Sequence, residues 1–93
     1  MASGTIHPFY ERISVSVSAG ATKSYSYAYN SNGYDRLLVL GHNSNTALRG
    51  LYLLGKNVAV TIIEPPNVTV SVSDGTVTIS NTAASGSVTG TII

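Results

Sequence analysis

The sequence reads as an all-β chain: one antiparallel β-sandwich, jelly-roll-like, built from about eight short strands. Ser and Thr supply about a quarter of the 93 residues and alternate with Val, Ile and Tyr in separate runs. That period of two is the pattern of half-buried antiparallel strands. Gly, Asn, Asp and Pro interrupt these runs at about eight- to twelve-residue intervals, the spacing of turns in an all-β domain. No segment favours a helix.

Residues 1–12 read as an N-terminal arm and residues 13–93 as the sandwich domain. Residues 13–19 (ISVSVSA) place Ile13, Val15 and Val17 on one face and serines on the other. Residues 22–29 (TKSYSYAY) likewise put Lys23, Tyr25, Tyr27 and Tyr29 opposite Ser24, Ser26 and Ala28. The two runs are expected to pair as a hairpin over Gly20, with Ala19 to Ala21 as an odd loop that keeps the apolar faces together. Residues 37–40 (LLVL), 50–54 (GLYLL) and 58–63 (VAVTII) are continuous apolar runs too short for helices, and are expected to be central strands covered on both faces. Residues 30–33 (NSNG) form a turn cluster, 42–46 (HNSNT) a polar loop and 55–57 (GKN) a tight turn, while Pro65-Pro66 ends a ladder.

The sharpest local expectation is a hairpin over Asp74-Gly75, the favoured dipeptide of a two-residue type I′ turn. Setting Ser73 opposite Thr76 brings Val72 to Val77, Val70 to Ile79 and Val68 to Asn81 on one face. Ser71 then meets Thr78, and Thr69 meets Ser80, on the other. A last strand over residues 87–93 follows the small-residue loop 82–86.

Composition narrows the chemistry. Only 10% of residues are charged and the net charge is +1, so there is no basic stripe for phosphates and nucleic-acid binding is disfavoured. With no Cys there is no disulfide, thiolate or Cys-based zinc site. No apolar run reaches the roughly 18 residues that cross a bilayer, and residues 1–10 lack the pattern of a secretory signal, so the expected site of synthesis is a cytoplasm. Glu11 and Asp35 are the only acids outside evident turns and strand ends, and they come from unrelated segments, which is poor material for a carboxylate pair. Asp35, His42 and Ser44 have triad residue types but no nucleophile elbow around them. His7 and His42 lack a companion at metal-ligand spacing. The expectation is a non-enzymatic protein with no cofactor and no metal.

Two sets of residues remain as candidates for a ligand or an interface. Tyr25, Tyr27 and Tyr29 make an aromatic stripe that serves either as core or as a stacking surface, with core favoured by its pairing with Val15 and Val17. The loop bearing His42, Asn43, Ser44, Asn45, Thr46 and Arg49 is the exposed candidate, because binding residues gather on loops of rigid sandwiches. Arg12, Arg36 and Arg49 are dispersed and read as surface or interface hydrogen-bond donors.

The order of motifs adds a resemblance. A Val/Ser strand is followed by SAGATKSYSYAY, RLLVLGHNSN and GLYLLG, and the chain closes on VTVSVSDGTVTISNTAASGSVTGTII. This resembles the small C-terminal β-sandwich domains of tail-fibre, baseplate and head-fibre proteins of bacteriophages and prophages of gut bacteria. The likeness runs through residues 19–27, 37–42 and 77–89, and more loosely over residues 13–93. It implies a virion-associated structural or host-attachment role, commonly as a homotrimer, with cell-surface glycan or other virion proteins as partners. It carries over no ligand residue. Two other readings stand beside it: a bacterial carbohydrate-binding or adhesin-like module using the tyrosines or the 42–49 loop, and a small hydrolase requiring a histidine beside a carboxylate.

Overall fold

The computed structural model describes residues 11–29, 36–42 and 45–93, with backbone alone at residues 42 and 45–49. The strands are β1 (Ile13–Val17), β2 (Thr22–Ser26), β3 (Arg36–His42), β4 (Asn45–Leu54), β5 (Ala59–Ile63), β6 (Val68–Ser73), β7 (Thr76–Asn81) and β8 (Val88–Ile92). They form two antiparallel sheets, one of five strands in the order β1-β8-β3-β4-β5 and one of three in the order β2-β7-β6. The pairings β1 with β8 and β2 with β7 are nested, as in a jelly roll, while β3, β4 and β5 run as a meander.

The β6–β7 hairpin has the expected register at every position from Val68 opposite Asn81 to Ser73 opposite Thr76. Its turn residues Asp74 and Gly75 sit at φ 49° and 73°, the left-handed pair that a type I′ turn requires. A side chain at Gly75 would also collide with the Tyr29 ring, 2.3 Å from an ideal Cβ. Twist and packing both select glycine there.

The first expected hairpin does not form. β1 pairs with β8 and β2 with β7, so the turn at Ala19-Gly20 is a corner between the two sheets. The apolar faces of β1 and β2 do meet, but across the sandwich, with Val15 and Val17 in the same core as Tyr27 and Tyr25 packed against it. Alternation fixes which face is buried and leaves the neighbour in the ladder unspecified.

The core joins Leu38 and Leu40 of β3, Tyr52 and Leu54 of β4 and Ile92 of β8 to Val77 and Ile79 of the smaller sheet. Each buried aliphatic side chain contributes about 1.5 to 3 kcal/mol of transfer free energy. Gly90 of β8 faces this core opposite Val15 and Leu40, and an ideal Cβ there would lie 2.0 Å from the Val39 carbonyl oxygen.

Three further expectations are corrected. The runs 37–40 and 50–54 are interior to their sheet but covered on one face alone, with Leu37, Val39, Leu51 and Leu53 half-exposed on the other. The run 58–63 is not a covered central strand: β5 is the edge of its sheet, with Val60 and Ile62 39% and 51% exposed. Nor are residues 45–49 part of a loop, because β4 begins at Asn45 and pairs back to β3 through irregular steps at Gly41 opposite Leu48 and His42 opposite Asn45. The turn cluster at 30–33 and most of the N-terminal arm lie outside the described residues.

Candidate functional site

Of the residues singled out in sequence, Asn43 and Ser44 lie outside the described residues, as do the side chains of His42, Asn45, Thr46 and Arg49. Asp35 and His7 lie outside them too. The tyrosine stripe is described, and it turns inward. Tyr27 is 6% exposed, and its hydroxyl donates to the Gly55 carbonyl at 2.7 Å. Tyr29 packs edge-on against it with ring centroids 6.5 Å apart. Tyr25 is half-buried, and its hydroxyl accepts from the Ser16 N–H and donates to the Ser16 carbonyl, each at 3.0 Å. Ser16 sits on the outer strand of the five-stranded sheet, so this one hydroxyl occupies the outward backbone pair of an edge.

Arg36 is the polar residue that sequence reasoning misplaced. It is buried, 2% exposed, at the start of β3. Its guanidinium donates from Nε to the Ile93 carbonyl at 3.1 Å, from one terminal nitrogen to Glu11 at 2.9 Å and from the other to Ala28. It also lies over the Tyr27 ring, 5.6 Å from the centroid. The sequence held a signal for it: RLLVL continues the inward parity of Leu38 and Leu40 back to position 36. Glu11, Ile13, Ser26, Tyr27, Ala28 and Arg36 line a cavity of about 360 Å³. Its one charged side chain facing the core, Arg36, is already committed to main-chain carbonyls.

Asn81 is spent in the same way. Its amide donates to Val17 and Gly86 carbonyls at 3.0 Å, and its Oδ1 accepts from the Ala83 N–H at 3.1 Å. Among the described residues no group of three His, Cys, Asp or Glu side chains could hold a metal ion. No helix there is long and apolar enough to cross a membrane.

The outer faces of the sheets are more distinctive. On the three-stranded sheet the solvent face is a grid of hydroxyls: Thr22 bonds Ser80 at 2.8 Å, Ser24 bonds Thr78 at 2.9 Å and Ser26 bonds Thr76 at 3.2 Å. The register places Thr69, Ser71 and Ser73 of β6 in the same three rows. On the five-stranded sheet the rows change character part-way across. One row runs Leu37, Leu53, Val60 over β3, β4 and β5, and the next runs Val39, Leu51, Ile63. Beyond β3 the second row continues into Thr91 and Ser14. A bulge between Leu51 and Tyr52 inserts Ile62 beside Ile63, and both are exposed, 51% and 38%. The result is an aliphatic face over the described side chains of β3, β4 and β5, whereas the outward positions of β1, β2, β6, β7 and β8 are Ser and Thr.

The chain matches no protein-family model, no curated protein and no solved structure.

Proposed function

We propose that the chain is a non-enzymatic, self-associating structural or host-attachment module of the kind found in phage and prophage particles, in keeping with the resemblance of its motifs to fibre and baseplate domains. The observation that carries this reading is the aliphatic outer face over β3, β4 and β5. Leu37, Val39, Leu51 and Leu53 stand half-exposed beside Val60 and Ile63 of β5, whereas the outward positions of β8 and β1 on the same sheet are Ser and Thr. Such a face gains most by being covered, and a contiguous apolar patch on a small domain marks an interaction surface. The commitment of Tyr27, Arg36 and Asn81 to backbone carbonyls supports a scaffold role over catalysis. The carbohydrate-binding reading loses support from the tyrosines, because Tyr25, Tyr27 and Tyr29 face the core.

The test is the solution mass by light scattering over a wide concentration range. An assembly of fixed stoichiometry is the expected result; the fibre resemblance by itself implies three copies, and the sheet edge described below argues for two. A monomer at every concentration would overturn the reading and turn attention to a free-standing module, with a glycan screen as the next step.

A further inference from the structure

The two edges of the five-stranded sheet are treated differently. At β1 the outward N–H and C=O of Ser16 are both taken by the Tyr25 hydroxyl. At the other end β5 has, among the described residues, only β4 as a ladder neighbour. The Gly55 N–H donates to the Val58 carbonyl at 2.9 Å, so the backbone groups of Val58 face β4. Alternation then turns those of Val60 the same way and those of Ala59 and Thr61 outward. This edge carries no charge within the strand, and of the five most exposed large aliphatic residues among the described ones, four lie on it or just before it: Val58, Val60, Ile62 and Ile63.

We propose that the partner of this edge is the same edge of a second copy, paired antiparallel about a two-fold axis at Val60. The proposal rests on the self-association reading and specifies its basic contact. An isologous contact needs a self-complementary strand, and β5 is one. With Val60 opposite Val60 of the second copy, Ala59 meets Thr61 and Thr61 meets Ala59, so the outward N–H and C=O groups bond each other. Val58 falls opposite Ile62, which continues the aliphatic surface across the junction. The Lys56 turn of each copy comes alongside Glu64 of the other, giving two opposite-charge contacts from residues that flank the strand and are exposed in one copy. The exposed aliphatic side chains of the edge leave roughly 300 Å² in water per copy, at the level of the largest patch of an ordinary monomer. Doubled across the axis that is about 600 Å², to which the paired strand backbones add, the size of a weak and concentration-dependent contact. The product is a continuous sheet of ten strands whose two aliphatic faces become one.

The experiment is light scattering and sedimentation of the full chain and three variants, with circular dichroism to follow the fold. The unaltered chain is expected at the mass of two copies, or an even multiple. Val60→Lys sets two ammonium groups against each other on the axis, on a face open to water in one copy, and is expected to give a folded monomer. Lys56→Glu is expected to weaken the dimer about tenfold, and adding Glu64→Lys to restore it. A mass of three copies, a two-copy mass that survives Val60→Lys, or a charge reversal without effect in either direction would overturn the pairing while leaving self-association intact. A monomer at all concentrations would overturn both.

Discussion

At the scale of single residues, Arg36 shows how far one side chain organises this chain. Its three donors reach carbonyls at Glu11, Ala28 and Ile93, which come from before β1, after β2 and after β8. A planar fork of fixed donors can hold three such acceptors at once, and a lysine ammonium on a flexible stem cannot reproduce that span. Arg36→Lys is therefore expected to lower unfolding free energy by about 2 kcal/mol in a urea titration, since charge-assisted, part-buried bonds to these carbonyls are lost. Arginine at this place reads in sequence as a surface residue by its type, against the inward parity of RLLVL, and where its three carbonyls converge is visible only in the fold. The inward tyrosines were more legible: their parity with apolar neighbours pointed to the core, and only the bonding of their hydroxyls required three dimensions.

Among the elements, legibility follows the distance between partners. The β6–β7 hairpin was readable to the residue because its turn dipeptide and both alternating strands are contiguous, and each constrains the other. β1 and β2 were readable as strands but not as neighbours, since a local hairpin and the nested pairing satisfy the same alternation. β5 was misread because VAVTII is as apolar as a central strand, and only the sheet order reveals it as an edge. The hydroxyl of Tyr25 is what separates the two edges. Tyr25→Phe keeps the ring in the core and removes both bonds to Ser16, so a loss of about 1 to 2 kcal/mol is expected by urea titration. It also unblocks β1 for pairing, and a rise in higher-order association beyond the unaltered chain's mass is the accompanying expectation.

For the molecule as a whole, sparse charge limits how pH acts on stability, and Tyr52 is the described group that stands out. Burial, with repulsion from Glu64 as the lesser cause, holds its phenol above the usual tyrosine range. The folded state then keeps this proton where the unfolded chain would release it. The stabilisation is complete below about pH 10 and falls as pH rises beyond it, because the unfolded chain binds fewer protons in that range. Alkaline melts followed by phenolate absorbance are expected to show Tyr52 ionising together with unfolding, and Tyr52→Phe to flatten that limb. A Tyr52 titration well before the cooperative transition would contradict it.

The position of β8 between β1 and β3 has a further consequence, for a chain still being made. β8 begins 75 residues after β1 does, at Val88 against Ile13, which at about 5 to 20 residues per second is about 4 to 15 s of translation. Until then β1 and β3 lack the strand that joins them, and the sheet exists only as its β3–β4–β5 meander. Over the last 25 residues of that interval, from Ile63 to Val88, the aliphatic rows are already together while the core behind them is open. A nascent chain of this design has reason to meet a chaperone before it meets its own copies.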